Sequence, residues 1–178
     1  MSFSVLFSAG LVWLSGCSQN QQFAPGSGRD KLEGFLDIKW GEPPDSVNAK
    51  MLRRSGVRLD STDGYRLLFS GGEFAGYIVR EWDLRYTAKG FFSAYVFIES
   101  EAEPDLQRCY ERIKRLFEDR FGKVRTFAKG RVAIWRLPAR DSFNDRLSVS
   151  MVTGKRVTVI FENGERNPVD IAPQETPE

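Results

Sequence analysis

Apolar residues along this chain of 178 recur with two periods, and the switches between them mark its elements. Over 104–121 the positions Leu106, Cys109, Tyr110, Ile113, Leu116, Phe117 and Phe121 follow the i, i+3, i+4, i+7 spacing of one helical face, which predicts an amphipathic helix. Both of its ends are signalled. Pro104 suits a first turn, Glu101, Glu103 and Asp105 complement the positive end, Arg120 complements the negative end, and Gly122 suits a left-handed stop. A shorter helix is predicted over 44–54, opened by Pro44, burying Val47 and Met51 and ending near Gly56.

The other ordered segments alternate with period two: 65–70, 76–87, 90–99, 124–128, 131–137, 146–152 and 156–162 all read as strands. In the second, Ile78, Trp82, Leu84 and Tyr86 share one face while Glu81, Asp83 and Arg85 share the other, the pattern of a sheet with one wet face. Thr153-Gly154 reads as a short hairpin turn between the last two strands. Helix, three strands, helix, four strands predicts an α+β fold: a mostly antiparallel β-sheet with two helices packed on one face. The order is compatible with a duplicated helix-plus-meander unit, although the halves share no convincing residue-level repeat.

The first seventeen residues are uncharged along their side chains. The run from Val5 to Leu14 is apolar, yet at about 1.5 Å per residue the stretch to Cys17 reaches only about 25 Å, short of the roughly 20 apolar residues that a spanning helix needs. Small residues close the run and a polar stretch, Ser18-Gln19-Asn20-Gln21-Gln22, follows, as in a secretory signal. Leu14-Ser15-Gly16-Cys17 resembles the lipobox of bacterial lipoproteins, which are diacylated on the cysteine and cleaved just before it. Met1-Ser2-Phe3-Ser4 departs from that pattern in carrying no Lys or Arg. The resemblance implies a signal peptide over 1–16 and a lipidated Cys17; composition and patterning then give a flexible linker to residue 33, a globular domain over 34–162 and an acidic, disordered tail over 163–178 with a net charge of −3. The resemblance also implies a cell-envelope protein held on the membrane by the lipid at Cys17, and Ser18 in place of Asp is similar to the residue that sorts such proteins to an outer membrane, facing the periplasm. Two or three acyl chains, at about 0.8 kcal/mol per buried CH₂, hold a protein of this size firmly.

Phe35-Leu36-Asp37-Ile38-Lys39-Trp40-Gly41 before a Pro-initiated helix, with a later helix ending Phe-Gly, is similar to small exported bacterial domains with an Ile-x-Trp-Gly signature. That resemblance carries no activity. On its own terms Trp40-Gly41 reads as a core anchor followed by a turn.

Composition narrows the chemistry. The chain holds 14 Phe and 4 Trp, 41% hydrophobic residues and a formal net charge of +2. With no histidine it has no Ser-His-Asp or Cys-His site and no His-ligated metal centre. Once Cys17 is acylated, Cys109 alone remains, so no intramolecular disulfide forms, and its place on the helical stripe marks it as a buried thiol. No cofactor is expected. Glu99, Glu101, Glu103 and Asp105 match no calcium loop, and a helix N-terminus accounts for them, so no metal is expected either. Gly71-Gly72 and Gly26-Ser27-Gly28 lack the Lys and Ser/Thr of a phosphate loop.

One charge constellation offers a partner. Ten basic residues between Arg108 and Arg136 face only Glu111, Glu118 and Asp119, a local net of +7. Arg108, Arg112 and Arg115 would lie along one side of the helix, as candidate contacts to an envelope protein or an anionic envelope component. The plainer reading is a solvated helix face. An exported chain of this charge does not suggest nucleic acid. The expected function is a non-catalytic binding or assembly module, acting through this helix or the exposed sheet face. The rivals are an envelope hydrolase using a carboxylate pair such as Asp83 and Glu81, and an inhibitor of an envelope enzyme presenting exposed aromatics.

Overall fold

Alternation in the strands and a 3.6-residue stripe in the long helix meet across one apolar layer. The computed structural model describes residues 31–137, 145–151 and 155–166; Cys17, Thr153-Gly154 and the tail beyond Arg166 lie outside them. In chain order the elements are β1 (Gly34–Phe35), β2 (Ile38–Lys39), α1 (Pro44–Leu52), β3 (Arg58–Asp63), β4 (Arg66–Ser70), β5 (Glu73–Phe74), β6 (Tyr77–Ile78), β7 (Glu81–Thr87), β8 (Gly90–Glu99), α2 (Glu103–Phe121), β9 (Thr126–Phe127), β10 (Val132–Leu137), β11 (Asp145–Ser150) and β12 (Arg156–Glu162). The fold is α+β. Eight strands form one sheet in the order β3-β4-β7-β8-β12-β11-β10-β9, and every pairing in it is antiparallel.

That order is a duplication of topology. Each half is a helix followed by four strands of the main sheet in meander sequence, and the halves join where their last strands, β8 and β12, pair over seven residue pairs from Ser93↔Glu162 to Glu99↔Arg156. The two small hairpins, β1-β2 and β5-β6, are additions to the first half.

The core lies between the helices and one face of the sheet. Leu67, Phe69, Trp82, Leu84, Ala94, Val96, Ile98, Val157, Val159, Phe161, Leu147 and Val149 point into it from successive strands, and Val47 and Met51 of α1 and Leu106, Cys109, Tyr110, Ile113, Phe117 and Phe121 of α2 close it. Phe117 packs edge-on against Trp135 and Phe161, each at 5.7 Å between ring centres. Phe74, at the end of β5, meets Phe35, Trp82 and Phe161, so the small hairpins plug the space beside α2. Burial pushes the Cys109 thiol up to about 12, which leaves it a packing group. Gly122 ends α2 at φ 87°, a conformation that side chains with a Cβ resist.

Three details differ from the sequence reading. β3 is an additional strand, missed because Arg58, Asp60, Ser61, Thr62 and Asp63 are polar and exposed; as an edge it needs no apolar alternation. The segment 76–87 is two elements, with the chain turning between Ile78 and Glu81. Ile78 therefore leaves the face of Trp82 and is 68% exposed at the β5-β6 hairpin. Finally Leu116, at the margin of the helical stripe, is only half-buried and opens toward a surface groove.

Candidate functional site: the uncovered face of the sheet

Because side chains alternate across each strand, the sheet presents a second face, one that no helix among the described residues covers. Leu68, Tyr95, Phe97, Ile160 and Ile134 occupy it, all half-buried, and none of them belongs to the core or packs against it. Register places Leu68, Asp83, Tyr95, Ile160, Ser148 and Ile134 directly opposite one another on six adjacent strands. One step along, a second row reads Arg66, Arg85, Ser93, Glu162, Arg146, Arg136.

The chemistry of this face is built around arginine and aromatic rings. Tyr95 and Phe97 stack, 6.3 Å between centres and 19° between planes. The Arg85 guanidinium lies 4.2 Å from the Tyr95 ring centre, and that of Arg156 lies 4.8 Å from the Phe97 ring centre. The result is a four-layer stack, Arg85, Tyr95, Phe97, Arg156, along the middle of the sheet. A carboxylate fixes each end. Asp83, 1% exposed, accepts from Arg66 Nε and Nη2 at 2.9 and 3.1 Å and from Arg85 Nη2 and Nε at 2.9 and 3.2 Å. Glu99 accepts from Arg156 Nη2 and Nε at 2.6 and 3.0 Å. The Asp83 hydrogen bonds raise the Arg66 and Arg85 pKa further above their ordinary range. In the second row Arg146 Nη2 meets Glu162 at 2.5 Å.

The arginines singled out in the sequence lie elsewhere. Arg108, Arg112 and Arg115 are exposed on α2, and the structure does bring them to one groove, with Tyr77, Glu111, Leu116 and Asp119. Arg108 pairs with Asp105 on its own helix. Glu111 and Asp119 share the groove, so the sequence count of +7 does not survive as one patch: Arg131 pairs with Glu103, and Arg136 stands on the far side, on the sheet face. The alternating carboxylates are separated as well, with Glu99 on Arg156, Glu103 on Arg131 and Asp105 on Arg108. Asp83 has both oxygens bonded to guanidinium groups.

The period-two pattern of β7 announced the wet face, but Tyr95 and Phe97 were not legible as part of it. They alternate with Ala94, Val96 and Ile98, so β8 is apolar on both faces and its sides cannot be told apart without the register. No protein family matches the chain, and neither curated proteins nor solved structures yield a match.

Proposed function

We propose that the protein is a lipid-anchored module of the cell envelope, tethered through Cys17, that binds a partner with the uncovered sheet face and carries out no chemistry of its own. The observation that carries the binding half is the arginine-aromatic stack: two half-buried rings between two guanidinium groups, held in place by carboxylates and left outside the core. Arginine and aromatic side chains dominate the energetics of protein interfaces, and groups already fixed lose little freedom on binding. The lipobox Leu14-Ser15-Gly16-Cys17 supports the anchor, and a linker over 17–33 extends to at most about 56 Å at 3.3 Å per residue, which leaves the face free to turn toward the periplasm.

Two measurements test the reading. Cys17→Ser should abolish labelling by a fatty-acid probe and release the domain from membranes; equal labelling of both proteins refutes the anchor. A photo-cross-linking residue at Tyr95 should give a discrete adduct in intact cells that the same residue at Ala49, on the exposed side of α1, does not. Identical adduct patterns from the two positions refute the face.

A further inference from the structure

Taking the uncovered face as the binding surface, as proposed above, we infer that its occupant is an acidic protein surface, whose carboxylates meet the arginine row while apolar side chains cover Tyr95 and Phe97. The row places four guanidinium groups, Arg66, Arg85, Arg146 and Arg136, at one end of the face. The carboxylates among them, Asp83 and Glu162, have side chains only 1% and 9% exposed and are already engaged. The row therefore offers outward mainly donors and positive charge. The Ser93 hydroxyl and Arg146 Nε are buried with no hydrogen-bond partner among the described residues and are shielded from an incoming group, so the outward donors of the row are its remaining guanidinium nitrogens.

Size and charge pattern favour a protein over a lipid surface. Eight strands about 4.8 Å apart and on the order of 20 Å long present roughly 700 Å², close to the ~800 Å² each partner gives to a standard interface. At the other end of the face stand Glu81 and Glu99, flanking Phe97. A plane of lipid phosphates would oppose these carboxylates as squarely as it met the arginines. A protein surface carries acids where the row lies and other groups elsewhere. Arg136, exposed and with no ion pair among the described residues, keeps its planar fork for bidentate recognition of a carboxylate.

The test uses the folded chain and a fluorescein-labelled peptide with Glu and Leu in alternation, read by anisotropy, with a Lys-Leu peptide and phosphatidylglycerol vesicles as alternatives. The Glu-Leu peptide should bind, more weakly as salt screens the contact. Arg136→Glu, at an exposed residue without an ion pair among the described residues, should weaken binding about fivefold or more; Arg53→Glu, just past the end of α1, should leave it unchanged. Absence of binding, equal loss with Arg53→Glu, or tighter binding of the vesicles overturns the acidic protein surface. Binding that emerges only after removal of 167–178 overturns it in favour of the chain's own acidic tail. A Tyr95 cross-link in cells that persists unchanged in Arg136→Glu overturns the acidic partner while leaving the face intact, whereas loss of the cross-link in the otherwise unaltered chain overturns the face itself.

Discussion

On α2, Arg108 reaches a carboxylate three residues away on its own helix, and Arg112 and Arg115 extend from an exposed turn. On the sheet, Arg85 lies on Tyr95 while bonded to a buried aspartate that also holds Arg66 from the neighbouring strand. The two surfaces carry the same side chain in opposite conditions. Helix arginines keep most of their rotamer freedom and would lose it on meeting a ligand, at a cost of up to about 2 kcal/mol each. On the sheet Arg66, Arg85, Arg146 and Arg156, each paired with a carboxylate, have already lost part of it. Local charge density is therefore a poor guide to a binding surface, and what fixes the charge is a better one.

The largest effect that bears on this contrast comes from beneath both surfaces. Phe117 is fully buried between α2 and the sheet, so Phe117→Ala should destabilise the fold by about 3–5 kcal/mol in urea titration. An unchanged midpoint would mean that α2 does not lie on the sheet as described.

A second effect separates carboxylates held by guanidinium from one held by amides. Asp145, next to Arg146 but pointing into the core, accepts from Asn163 Nδ2 at 2.9 Å and Gly164 N at 3.1 Å; burial outweighs these bonds and pushes its pKa from 3.8 up to about 6. A folded-state pKa above the unfolded value means that the folded protein binds the proton more tightly. Its stabilisation is complete below about pH 4 and lost as pH rises through about 6, a change on the order of 3 kcal/mol. Asp145→Asn should gain on wild type over that window, by thermal denaturation across pH. Glu42 runs the other way. Burial opposes its charge, but hydrogen bonds from Lys39 N, Lys50 and Ser46 prevail and hold it at about 2, so its contribution is present above about pH 4.5 and lost as pH falls toward 2.

Asp83→Ala should cost about 1–3 kcal/mol: it removes a buried acceptor, yet Arg66 and Arg85, each about two-fifths exposed, turn to water. The sharper readout is mobility. The Arg85 Nε–H signal, bonded to Asp83, should exchange more slowly in wild type than in the variant; no difference would erase the distinction between the two surfaces. Smallest of all, Arg108, Arg112 and Arg115 changed together to Gln should alter stability by no more than about 0.5 kcal/mol. Loss of partner association in that triple variant, with none in Arg136→Glu, would reverse the comparison.

Much of the architecture was written locally. The stripe of α2 and its end signals gave 104–121 against the observed Glu103–Phe121, and Pro44 opened α1 where it was expected. Elements whose identity depends on a neighbour were hidden. β3 is a strand because β4 offers it an edge, and Ile78 leaves the core because the β5-β6 hairpin turns away, neither of which a period reveals. The site follows the same logic. Glu81, Asp83 and Arg85 announce a wet face within one strand, but Arg156 and Glu99 are separated by 57 residues, and only the β8-β12 register brings that pair beside Phe97.

That register has a consequence for how the molecule comes to exist. β8 emerges midway through synthesis and finds β7 at once, whereas its other neighbour is the last strand described. Until residues 156–162 arrive, ten residues of β8 present an unpaired ladder, apolar on both sides, in the middle of what will become the sheet. Such an edge templates mispairing, above all with the β8 of another nascent chain, which is antiparallel-competent in the same way as β12. A chain that crosses a membrane unfolded, as the proposed export requires, delivers β7 and β8 to the far side ahead of residues 156–162, so the same edge stands open there until the last strand follows, and secretion and successful folding become one problem for this topology.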